Sequence, residues 1–98
     1  MDSEHAVLVS ATVSTVTTAR TAVESIEVSN VSGSGDIYYT YALRSATAAT
    51  PVSLADDTFV LGAGTSRVHG IGAATHVGNV QVKLISAGTP TYGVTILP

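Results

Sequence analysis

The chain has 98 residues, no cysteine, a formal net charge of −3 and only 11% charged residues, against about 25% in an ordinary soluble domain. Zinc–cysteine centres and disulfide scaffolds are thereby excluded. An acidic chain with one lysine is also a poor candidate for nucleic-acid binding. Hydroxyls take the place of charge, with 14 threonines and 11 serines. Valine, isoleucine and threonine make up a third of the residues, and β-branched side chains favour strands because they pack well on a pleated, half-buried surface. One domain, residues 1–98, fits this length.

The opening Met-Asp-Ser-Glu-His has two acids and no basic run, so no secretory signal is expected and synthesis in a host cytoplasm is. Stretches free of Asp, Glu, Lys and Arg reach 15 residues and are rich in Thr, Ser and Gly, so no membrane span is expected. Val7, Val9, Ala11 and Val13 alternate with Leu8, Ser10 and Thr12, predicting a first strand. Residues 1–13 thus read as an N-terminal arm or an edge strand. Val16 falls on the other parity, which places a bend near Ser14-Thr15. The 3–4 spacing of Val13, Val16, Arg20 and Val23 is weak, and the threonine content argues against a helix there.

Ala22 to Val31 predicts a strand with Ile26 and Val28 inward. Ser32-Gly33-Ser34-Gly35-Asp36 is the strongest turn signal in the chain. Asp36 to Arg44 follows, with Ile37, Tyr39, Tyr41 and Leu43 on one face and Tyr38, Thr40, Ala42 and Arg44 on the other. A hairpin centred on Gly33-Ser34-Gly35 is expected. Ser45 to Asp57 reads as a loop from which Leu54 packs onto the core. Short strands follow at Thr58 to Leu61 and Ser66 to His69, and Gly70, Gly72 and Gly78 frame a flexible stretch. Asn79 to Ser86 alternates clearly, Ala87-Gly88-Thr89-Pro90 is a turn, and Thr91 to Leu97 places Tyr92, Val94 and Ile96 on one face. Six to seven short strands at this spacing predict an all-β fold, a single small antiparallel β-sandwich, Ig-like or Greek-key-like.

Site chemistry is sparse. His69 and His76 are seven apart and His5 is remote, which matches no metal-ligand spacing. Asp56 and Asp57 are neighbours, and neighbours on a strand face opposite ways. Gly62-Ala63-Gly64 and Gly70-Ile71-Gly72 lack the third glycine and helix of a nucleotide site. No GxSxG elbow is present. No catalytic residue, metal, cofactor or small-molecule substrate is therefore expected, and the chain does not read as an enzyme. The candidate residues are interface residues: Val7 and Val9 on the N-terminal segment, Tyr38 on an outward face, Arg44 and Arg67 as bidentate anchors, and His69 as a surface or interface histidine.

Two blocks carry a resemblance. Ile26 to Thr40 resembles the V-x-V-x-N-x-S-G-x-G-x-I-Y-x-T segment of small β-sandwich virion structural proteins of tailed bacteriophages. Val82 to Thr95 is similar to the V-x-L-I-S-x-G-T-P-x-Y-x-V close of the same proteins, and Asp57 to Leu61 to their D-x-Y-V-L/V-P strand. Gly62 stands where those proteins commonly have proline, and Gly70 to Gly78 is longer than their usual connection. The resemblance is strongest to head decoration, or cement, proteins. It implies a protein on the outer surface of a capsid that bridges neighbouring capsid subunits. Its partners would be the major capsid protein and copies of itself, a trimer among the options. A tail, baseplate or fibre-anchor component and a small carbohydrate-binding module are the alternatives. The composition suits such a role: few Lys and Glu leave little side-chain entropy to lose on contact.

Overall fold

A computed structural model describes residues 2–19, 23–31, 35–44, 46–52, 57–73 and 79–97. Among these residues the chain forms eight strands: β1 (Asp2–Val7), β2 (Ser14–Ala19), β3 (Val23–Asn30), β4 (Ile37–Ala42), β5 (Phe59–Leu61), β6 (Ser66–Ala73), β7 (Asn79–Ile85) and β8 (Thr91–Leu97). They build two four-stranded sheets, ordered β1-β8-β3-β6 and β2-β7-β4-β5. Every pairing is antiparallel. The all-β, two-sheet expectation holds, with one or two strands more than the spacing suggested.

The pairing is nested. β4 pairs with β5, β3 with β6, β2 with β7 and β1 with β8, as if one long hairpin had been rolled up. Two further ladders, β3–β8 and β4–β7, close the roll. Consecutive strands therefore alternate between sheets, and only β4 and β5 are neighbours in both sequence and sheet.

This order corrects the hairpin expected around Gly33-Ser34-Gly35. β3 lies in one sheet and β4 in the other, so the connection is an arch across the sandwich. Gly33 and Ser34 lie outside the described residues. Gly35 has φ +127°, a region glycine alone enters without strain. Its Cα also packs so closely that a Cβ would sit 3.3 Å from Ser86 Oγ, within the arch between β7 and β8. A turn-rich segment satisfies a hairpin or an arch equally well, and the choice belongs to distant strands.

The first break also moves. β1 ends at Val7 and β2 starts at Ser14, so residues 8–13 cross between sheets, several positions before the expected bend. Ala11 adopts φ 55° in this crossing. Leu8 turns into the core at 1% exposure while Val7 and Val9 on either side stay in solvent. The β6 segment runs through Gly70 and Gly72, which were expected to be flexible. Leu54, Asp56, His76 and Gly78 lie outside the described residues.

The core follows from period-2 alternation. Ile26 and Val28 on β3 and Tyr92, Val94 and Ile96 on β8 face Val16, Ile37, Tyr39, Leu61, Val80, Val82 and Leu84 of the other sheet. Each fully buried aliphatic contributes roughly 1.5–3 kcal/mol. One face of the second sheet is also covered from outside. The segment 46–52 folds over it: Thr40 Oγ1 donates to the Ala49 carbonyl, and the Ala48 amide donates to Gln81 Oε1 at 2.8 Å. Ala48 and Pro51 are buried by this contact.

Candidate functional site

The strand directions gather four connections at one end of the sandwich: residues 8–13, 31–36, 62–65 and 86–90. Their sequences hold one charged residue, Asp36. At the opposite ends of the strands the described residues include Arg44 and Asp57.

Hydrogen bonds tie the four-connection end together. The Leu8 amide donates to the Pro90 carbonyl at 2.9 Å, and the Ala11 amide to the Ser86 carbonyl at 2.8 Å. Ser10 Oγ donates to the Ala87 carbonyl at 2.7 Å. Asn30, buried at the end of β3, sends Nδ2 to the Gly35 carbonyl at 2.8 Å and the Leu61 carbonyl at 3.1 Å. Its backbone takes part as well: the Asn30 amide donates to Thr65, and its carbonyl accepts from the Gly64 amide.

Apolar side chains crown this scaffold. Because Ile37 and Tyr39 point inward, Tyr38 must point out. The register places Tyr38 beside Val60 on one side and Ile85 on the other. Val13, just before β2, continues the same row beyond Ile85. Ala11, Tyr38, Ile85, Ser86 and Ala87 line an open pocket of about 190 Å³. At the same end Val7, at 63%, and Val31 are exposed on the other sheet, and Val9 is exposed at 67% in the crossing between the sheets. Val31 and Val7 flank Thr91 in one outward row. Three of the expected interface residues, Val7, Val9 and Tyr38, are thus brought to one end.

Arg67 and His69 belong to a different place. Both pair on β6 opposite inward residues, Val28 and Ile26, with Arg67 exposed and His69 half-buried. His69 is half-buried between the sheets: Tyr39 Oη lies 2.6 Å from its Nε2. Its ring centroid lies 4.5 Å from that of Phe59, 4.8 Å from Tyr41 and 5.6 Å from Tyr39. The Arg67 guanidinium sits 5.6 Å from the Phe59 centroid, within range of a cation–π contact. The cluster seals the open side of the sandwich where β5, only three residues long, leaves β4 short of a neighbour. The surface histidine anticipated from sequence is therefore a seam between sheets.

Burial, and secondarily Arg67, lower the His69 pKa from 6.5, so the ring is neutral at pH 7. The Tyr39 hydroxyl and His69 Nε2 share one hydrogen bond, whose donor is set by the imidazole tautomer. Burial pushes the Tyr39 pKa up to about 12, with Arg67 opposing. Such a tyrosine is a poor acid, and its ring is closed off from solvent. The pair suits a stitch between sheets better than proton transfer. On the other open side, Tyr92 Oη and Ser14 Oγ lie 3.4 Å apart and join β8 to β2.

Arg44 lies at the far end, away from the other expected residues, exposed and with φ 57° just after β4. No group of three or more His, Asp or Glu among the described residues is placed to hold a metal ion. No helix of the described residues is long and apolar enough to cross a membrane. The pocket lining of Ala11, Ile85 and Ala87 was not foreseen, since each is unremarkable in sequence and only the fold assembles them. No protein-family model matches the sequence, and no curated protein matches it.

Proposed function

We propose that this chain is a structural virion protein that decorates a bacteriophage capsid and stabilises it by bridging neighbouring capsid subunits. The observation that carries the reading is the apolar end, where Val7, Val9, Tyr38, Val31 and Val60 surround four connections holding a single charge. Exposed apolar side chains on both outer faces of one end favour an interaction site there. Hydroxyl-rich, lysine-poor strands cost little entropy to cover. The sequence resemblance at Ile26–Thr40 and Val82–Thr95 supplies the identity of the shell.

We read the nested strand order as a jelly roll, two Greek keys, rather than the immunoglobulin order. Capsid proteins use that architecture, as do lectins and cupins, so the fold is compatible with the reading without deciding it. The partners would be the major capsid protein and copies of this chain, on the outer capsid surface. Mass spectrometry and electron microscopy of purified particles test the reading. On the order of tens to hundreds of copies per head, at symmetric positions, support it. A handful of copies on the tail moves the chain to a tail or baseplate role and sinks the decoration reading. A carbohydrate-binding role has Tyr38 and its pocket in its favour. Its other aromatics are turned inward or half-covered, so a glycan array is expected to stay blank.

A further inference from the structure

We propose that copies of this chain join edge to edge through the β1-β8-β3-β6 sheet, with β1 of one copy pairing antiparallel to β6 of the next and Glu4 meeting Arg67. The inference rests on the reading of the chain as a component repeated over a shell, and it names the surfaces through which the copies meet. β1 and β6 are the two edges of that sheet. An edge strand presents a row of backbone N–H and C=O groups to any strand that can pair with it. Ser3 to Val7 on β1 are all exposed, and so are Ser66, Arg67, Val68 and Gly70 on β6. In the other sheet, the edge strand β5 has only three residues and offers little ladder.

Three observations select a second copy as the partner strand. The first is direction. Every ladder in the sheet is antiparallel, so across its four strands β1 and β6 run in opposite senses. Copies set side by side in one orientation therefore continue the antiparallel alternation. The second is charge. The charged residues of β1 are Asp2 and Glu4, and that of β6 is Arg67. Opposite signs favour β1 against β6, whereas β1 against β1 or β6 against β6 brings like charges together. The third is register. Glu4 pairs with Val94, Val94 with Val28, and Val28 with Arg67. One row thus crosses the whole sheet with an acid at one edge and a guanidinium at the other. A neighbour placed without a shift along the strands brings its Glu4 opposite Arg67 on the same face. A slip of one residue would turn the two to opposite faces, so the charge pair fixes the register. Arg67 lies over the Phe59 ring at 5.6 Å, and the N–H donors of a guanidinium lie in its plane, the geometry a carboxylate takes. Because each copy uses two different edges, the contact is heterologous and builds a ring or an open row. A short exposed ladder is weak in solution, and the crowding of copies on a shell strengthens it through effective concentration.

Sedimentation velocity of the full chain, from micromolar to millimolar at low salt, tests this. Growth beyond the 9.9 kDa monomer with rising concentration is expected, and high salt weakens it. Glu4→Arg and Arg67→Glu each lower the association constant by about three- to thirtyfold. Mixing the two variants restores association, because the altered edge of each matches the altered edge of the other and their native edges still match. The double variant restores it as well. Val60→Asp, on the other sheet, leaves association unchanged, and thermal melts establish that each variant is folded. A chain that stays monomeric to millimolar, single variants that associate like the native chain, or a mixture no better than its separate components overturns the proposal. Particle composition separates this from the reading on which it rests. A monomer that still coats capsids removes the edge contact and keeps the virion reading. Charge-dependent association by a chain absent from particles keeps the contact and removes that reading.

Discussion

At the scale of single residues, the Tyr39–His69 pair is the most informative contact. The two side chains come from different sheets and meet at 2.6 Å. A protonated His69 can still donate to the phenol oxygen, but it brings a cation into a half-buried site beside Arg67. Its folded pKa lies below the unfolded 6.5, through burial first and Arg67 second. The stability it contributes is therefore present above pH 6.5 and lost as pH falls through the folded pKa. Tyr39 bounds the other side. Its pKa is raised to about 12 from 10, so its contribution is intact below pH 10 and lost as pH climbs toward 12. Urea midpoints should fall between pH 7 and 5 more steeply in the native chain than in His69→Gln. Equal slopes would mean that His69 is not the group responsible.

At the scale of elements, the connections matter more than the strands. Asn30 ties two of them together, joining the end of β3 to Gly35 before β4 and to Leu61 at the end of β5. It is 1% exposed, so water cannot replace its amide. Asn30→Ala leaves two carbonyls without that donor and should cost about 2–4 kcal/mol, read as a lowered denaturant midpoint with an unchanged slope. A variant as stable as the native chain would show that the arches hold without this side chain. Its role was not legible beforehand, because Asn30 falls inside the expected strand from Ala22 to Val31 and its acceptors lie in segments that only the fold brings near. β1 was hard to read for the opposite reason. Ser3 to Val7 are all exposed, so no buried alternation marks the strand, and its place depends on the β8 ladder alone.

At the scale of the whole molecule, nesting sets the folding problem. Asp2 pairs opposite Ile96 and Ser14 opposite Leu84, so ladders join distant parts of the chain. Loop closure opposes such contacts before burial rewards them. Stopped-flow refolding should fall in the range of about milliseconds to seconds typical of sandwiches, and a microsecond phase carrying the full amplitude would contradict the nested order. The same nesting places four connections at one end, and their sequences hold Asp36 as the one charged residue. The sequence contains those segments plainly, but only the roll brings them together.

The sequence by itself determined the β-class and the inward faces of the central strands. Ile26 and Val28, Ile37 and Tyr39, Val80, Val82 and Leu84, and Tyr92, Val94 and Ile96 alternate as their burial does. Burial on a strand has a period of two, and a period of two is visible within a few residues. Partner choice has no such local trace. A glycine-rich segment between two alternating strands fits a hairpin or an arch, and the outcome rests on which distant strand offers its backbone groups. Tertiary structure alone therefore decided that Gly35 belongs to an arch, that His69 joins the sheets, and that Tyr38, Ile85 and Ala11 share one pocket.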